Sequence, residues 1–129
     1  MGRVITLELA SVTPLLNRTI RLHWSRRRKK RLALAWEVKV AAMGNIPAVP
    51  FARARVSVIR RSVGTPDHDG FVGGLKDLLD VLQPHHEKRR PYGLGLIAND
   101  NPGCLVLEPV AKRVGARVYQ GTTVIIEEL

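Results

Sequence analysis

Residues 66–82 read Pro66-Asp67-His68-Asp69-Gly70-Phe71-Val72-Gly73-Gly74-Leu75-Lys76-Asp77-Leu78-Leu79-Asp80-Val81-Leu82, and two structural periods meet there. Before this stretch, within Phe51 to Arg60, Ala54, Val56 and Val58 alternate with Arg53, Arg55 and Ser57. That is the period of a strand with one basic face. Inside the stretch, Leu75, Leu78, Leu79 and Leu82 follow the i, i+3, i+4, i+7 spacing of an amphipathic helix, which Pro84 stops. An acidic, glycine-rich turn thus joins a strand to a helix.

Working outward, Val4 to Leu9 alternates with Ile5, Leu7 and Leu9 on one side, as a half-buried strand does. Pro14 to Trp24 has no clean period. The cluster Arg26-Arg27-Arg28-Lys29-Lys30-Arg31 then opens a segment in which Leu32, Ala35, Trp36, Val40 and Met43 recur at helical spacing. Ser25 is expected to cap this helix and Gly44 to end it. Pro47 and Pro50 mark a loop before the basic-faced strand. Residues 84–98 read as a loop rich in His, Lys, Arg and Gly, and Asn99-Asp100-Asn101-Pro102-Gly103 as a turn. Cys104 to Val110 and Thr122 to Glu127 are the last two strands, joined through Lys112 to Tyr119. The order β, α, β, α, β, β predicts one α+β domain over residues 1–129, with a mixed or antiparallel sheet flanked by two main helices.

The 129 residues suffice for one core, and 45% of them are hydrophobic. Lys and Arg number 21 against 11 Asp and Glu, a net charge of +10, which favours a polyanion such as nucleic acid as partner. Cys104 is the only cysteine. An internal disulfide and a multi-cysteine zinc cluster are excluded, and Cys104 itself is expected as a small buried hydrophobe. No apolar run approaches the length of a membrane span, so a soluble, cytoplasmic protein without membrane contact is expected.

All five aspartates fall between Asp67 and Asp100. Magnesium is usually held by one or two carboxylates and keeps several waters. At a strand end, Asp67 and Asp69 would point to the same side and could meet one ion, and Asp100 could complete the site if its turn is adjacent. Carboxylates packed together repel one another, and a divalent cation removes the repulsion while creating a Lewis acid suited to phosphodiester hydrolysis. Lys76 stands one helical turn from Asp80, where it could pair with that acid, orient a metal ligand or face charge developing on phosphorus. The competing reading makes Asp67 and Asp69 turn and cap residues, since Asp favours helix N-termini and Gly70 follows directly. Asp77 is expected only on the helix surface, favourable to the helix dipole.

Among the cations, Arg26, Arg27, Arg28, Lys29 and Lys30 are candidates to grip phosphates, because so many positive charges run against the dipole of the helix they open. Lys88, Arg89 and Arg90 could do the same from the 84–98 loop. His85-His86, beside Glu87 and these cations, are expected to be solvated rather than metal-bound. Trp36 lies on the apolar stripe and is expected in the core, and Trp24, next to the basic run with His23, is the better surface candidate, though expected to be packed rather than stacking on bases.

The spacing of Asp67-His68-Asp69, then Lys76, Asp80 and Leu82, then Asn99-Asp100 resembles the RusA-type Holliday junction resolvases, small endonucleases of bacteria and their phages. Pro14 to Asn17 is similar to that family's Pro-rich segment ending in Asn. The resemblance implies a RusA-like fold and a homodimer that cuts four-way branched DNA with magnesium, for which manganese can substitute. It further implies Asp67, Asp69 and Asp100 as metal ligands and Lys76 as the catalytic lysine. Gly70 stands where the family usually has Asn, Asn99 replaces the first acid of the late pair, and the gap from Asp69 to Lys76 is longer than the commonest pattern. The alternatives are a non-catalytic basic nucleic-acid-binding protein, an inactive relative of the RusA type, and a basic structural or assembly protein.

Overall fold

The computed structural model describes residues 2–16 and 23–129; Asn17 of the Pro-rich resemblance lies outside them. Four strands, β1 (Val4–Leu9), β2 (Ala54–Ser62), β3 (Leu105–Arg113) and β4 (Gly121–Glu128), form one mixed sheet in the order β1-β4-β2-β3. β4 runs antiparallel to both of its neighbours, and β2 pairs with β3 in parallel from Ala54↔Leu105 to Ser62↔Arg113. A parallel pair needs a crossover, and the helices α2 (His68–Gly73) and α3 (Lys76–Leu82) supply it. The longest helix, α1 (Trp24–Ala41), lies against β1 and α3. The expected α+β domain with a mixed sheet and two main helices, α1 and α3, is what forms.

The strands bury the faces that their alternation marked. Ile5, Leu7 and Leu9, then Ala54, Val56 and Val58, then Val124 and Ile126 pack with Ala35, Val38 and Ala42 on the α1 side and with Leu75, Leu78, Val81 and Leu82 around α3. Each fully buried Val or Leu contributes about 1.5–3 kcal/mol over leaving it in water. On the opposite sheet face the basic side of β2 is neutralised. Arg55 pairs with Glu127 at 3.1 Å and Glu108 at 3.4 Å, and Arg61 with Glu8 at 3.5 Å.

α1 departs from its expected stripe. Trp36 is 67% exposed and Met43 73%, while Ala35, Val38 and Ala42 face the core. Apolar residues occur nearly all round this helix, so periodicity does not select a face; small Ala35 and Ala42 let the backbone come close to the sheet, which a Trp could not. The cap differs as well: His23, not Ser25, is the N-cap, its Nδ1 accepting from the Ser25 N–H at 3.2 Å. Trp24 is 69% exposed beside the His23 ring rather than packed. Cys104 is half-buried in the turn before β3 and not inside the strand.

The end of the 84–98 segment enters the core. Leu96 and Ile97 are buried and both donate their N–H groups to the Leu82 carbonyl, at 2.8 and 3.0 Å, and Leu96 accepts from the Phe51 N–H. Gly95, with φ +77, makes the bend that brings this about. At the α2–α3 junction, Gly74 lies so close to the 13–15 segment that a β-carbon there would collide with the Pro14 carbonyl oxygen. Gly74→Ala is therefore expected to cost about 2–3 kcal/mol in urea unfolding, whereas Gly64→Ala, where an added β-carbon meets nothing within 4 Å, should be near neutral. Equal midpoints for the two variants would show that the 13–15 segment yields freely.

Candidate metal and nucleic-acid site

Asp67 and Asp69 do not sit at a strand end. β2 finishes at Ser62, and Asp67 is the N-cap of α2, its Oδ2 accepting from the Gly70 N–H at 3.0 Å. Asp69 lies in the first helical turn, exposed, and without a hydrogen bond or ion pair among the described residues. The pairing of side chains at i and i+2 belongs to extended chain and is lost once Asp69 enters a helix. Gly70 fits this cap: a β-carbon there would stand 2.8 Å from Asp67 Oδ1, so the family's Asn would crowd the carboxylate.

Asp100 lies elsewhere. It precedes the amino end of β3, while Asp67 follows the carboxyl end of β2, and since these strands run parallel in register the two acids stand off opposite ends of the sheet. Among the described residues no group of three or more His, Cys, Asp or Glu is placed to hold a metal ion. The expected convergence of Asp67, Asp69 and Asp100 does not occur in this structure.

Asp100 instead acts on Asp80. The Asp80 carboxyl is held above its ordinary value chiefly by burial, with Lys76 opposing and the charges of Asp100 and Asp77 adding to the rise. Lys76 Nζ stands 3.8 Å from Asp80 Oδ1, with the Lys76 side chain 67% exposed and that of Asp80 15%. The Lys76-Asp80 spacing thus makes the ion pair that one helical turn allows. Two carboxylates repelling across a partly dry site meet the chemistry of a magnesium ion, which needs only one or two protein carboxylates. Asp80 and Asp100 are coupled in this way through their charges, while Asp67 is engaged in its cap.

The basic cluster divides into paired and free members. Arg27 Nη2 and Arg31 Nε reach Asp77 Oδ1 at 3.2 and 3.5 Å. Asp77 is only 7% exposed, so the acid assigned to the helix surface is instead the tie between α1 and α3. Arg31 also donates to the Tyr92 hydroxyl at 3.1 Å and lies over the ring, 5.7 Å from its centroid. Burial works against the Arg31 charge, but Tyr92, Asp77 and Asp80 outweigh it and hold its pKa above the ordinary value. Arg26, Arg28, Lys29 and Lys30 are exposed with no ion pair to an acid among the described residues. Arg27 is therefore a structural residue first, and the other four remain open to an external anion.

In the 84–98 segment, His86 Nδ1 accepts from the Lys88 and Arg89 N–H groups at 3.2 and 3.0 Å, a turn-stabilising role and not a metal ligand's. Lys88 and Arg89 are exposed, while Arg90 is half-buried and donates through Nε to the Pro84 carbonyl at 3.3 Å.

No protein-family model, curated protein or solved structure matches this chain to a significant degree.

Two residues of the site carried little signal in the sequence. Asp77 precedes the buried Val81 by one helical turn, which places it at the border of the apolar arc and so within reach of a packed neighbour. Tyr92 had none, because its contact with Arg31 spans 61 positions. No helix among the described residues is long and apolar enough to cross a membrane.

Proposed function

We propose that the chain is a magnesium-dependent endodeoxyribonuclease that acts on branched DNA as a homodimer in the cytoplasm, as its resemblance to the RusA-type resolvases implies. The observation that supports this most is the charge coupling of Asp80 and Asp100 beside Lys76. A metal ion bound there would supply a Lewis acid and a nucleophilic water. Asp80 and Asp100 would hold it, and Asp67 and Asp69 are the further acids that the resemblance assigns. Lys76 carries a positive charge on an exposed side chain able to meet a phosphate oxygen. Arg26, Arg28, Lys29, Lys30, Lys88 and Arg89 would hold flanking phosphates, which makes binding fall steeply with salt. A dimer presents one such site to each of two equivalent strands.

A second reading is a non-catalytic basic nucleic-acid-binding protein, favoured by the capping role of Asp67 and the separation of Asp67 and Asp100. Incubation of a synthetic four-way junction with and without magnesium distinguishes the two. Cleavage by wild type but not by Asp100→Asn is expected; binding without cleavage by both proteins would favour the second reading.

A further inference from the structure

Beyond the acids, the carboxyl end of β2 opens into a cleft of about 830 Å³. Lys30 of α1, Arg60 of β2 and Arg117 of the 3-10 turn Arg117–Tyr119 line it, and no acid is among the lining residues described. Three cations from three separate elements share one concavity. Like charges in a walled cleft focus the field outward and attract an anion.

The wall is preformed. Arg60 donates through Nε to the Thr13 carbonyl at 2.9 Å and through Nη1 to Ser62 Oγ at 2.7 Å, so its guanidinium is held in place. Thr13, 5% exposed, contributes a buried hydroxyl oxygen that has no hydrogen-bond partner among the described residues. Lys30 and Arg117 are exposed and have no ion pair among the described residues. A planar guanidinium beside an ammonium suits the oxygens of a phosphate.

We propose that this cleft binds a phosphate group. Pro66, the neighbour of the Asp67 cap, also lines it, so a phosphate on a nucleic-acid strand seated there would run past α2. The same chemistry would take a free phosphate. The cleft lies at the end of the sheet opposite Asp100, and the inference does not depend on cleavage.

Gly64 lines the cleft, an added β-carbon there meets nothing within 4 Å, and its φ is not left-handed. Gly64→Glu therefore places an acid among the cations without a clash. The same charge change at the far end of β2 is made by Val49→Glu, at a residue 76% exposed. In metal-free buffer, inorganic pyrophosphate binding is measured by calorimetry, alone and in competition with a short single-stranded oligonucleotide. Gly64→Glu and Arg117→Ala are expected to weaken pyrophosphate binding about tenfold or more, with Val49→Glu equal to wild type and all melting temperatures close. Competition by the oligonucleotide would identify a strand phosphate as the ligand, and pyrophosphate binding without competition a free phosphate. The proposal is overturned if wild type binds no pyrophosphate, or if Val49→Glu weakens binding as much as Gly64→Glu.

Discussion

Asp77→Ala is expected to lower the unfolding free energy by about 3 kcal/mol, a drop in melting temperature of roughly 10 °C for a chain of this length. The carboxylate is buried and joins α3 to two arginines of α1. Its removal leaves those guanidinium groups facing each other around an empty, partly dry space. The Nε atoms of both Arg27 and Arg31 are already buried without a hydrogen bond among the described residues, and only Arg31 keeps another partner, the Tyr92 hydroxyl. The low end of the range for breaking a buried pair applies, because the arginine side chains remain 28% and 26% exposed and water offsets part of the loss. Arg27→Ala should cost only about 1 kcal/mol, since Arg31 still meets the carboxylate. Circular dichroism in urea is the suitable probe, because Trp24 and Trp36 are both exposed and their fluorescence would report little of unfolding. Equal, small losses for the two variants would show that the bridge is screened by solvent.

Asp80→Asn should move stability and activity in opposite directions. Burial and the Asp100 charge hold the folded Asp80 carboxyl above its ordinary value despite Lys76, so the folded chain binds this proton more tightly than the unfolded one. Its contribution to stability is therefore fullest below the unfolded value and is lost as pH rises through the folded value. Asn stays neutral, so in metal-free buffer at neutral pH the variant should be more stable than wild type, and its stability should lack that decline. Lys76 loses its partner, but at an exposed position this costs little. If Asp80 holds a catalytic ion, junction cleavage should fall about 100-fold or more. Urea titrations from acid to neutral pH, paired with cleavage assays, read both effects. Identical pH profiles for the two proteins would mean that the acid is not held in its costly charged form, and a stabilised variant with full cleavage would remove Asp80 from the site.

The sheet was legible because its strands bury one face and solvate the other, so Ile5-Leu7-Leu9 and Ala54-Val56-Val58 carry the answer in their own spacing. α3 was legible for the same reason, through Leu75, Leu78 and Leu82. α1 was not, because apolar residues surround it and only the closeness of the sheet chooses Ala35 and Ala42 over Trp36. Aspartate spacing carried less than it promised. A D-x-D pair has one geometry on extended chain and another at a helix start, and the Gly70 N–H decides for the latter through a hydrogen bond to Asp67. The charges of Asp80 and Asp100 are coupled, and the 84–98 segment folds back through Leu96 and Ile97 onto Leu82, a long-range event without a local period. Asp77 was misplaced by the helix-dipole argument, which describes exposed acids and not one facing two arginines.

β4 lies between β1 and β2, although it is the last strand in sequence, and Val4 is paired with Glu127. Until residues 121–128 are synthesised, β1 has no neighbour in the sheet and β2 can pair only with β3. Closure of so distant a contact is slow compared with helix formation. Without β4, the apolar face of Ile5, Leu7 and Leu9 has no strand beside it, and the sheet closes only when residues 121–128 insert between β1 and β2. Loss of residues 121–128 would take out the strand that joins β1 to β2 and divide the sheet, where loss of an edge strand would merely trim it.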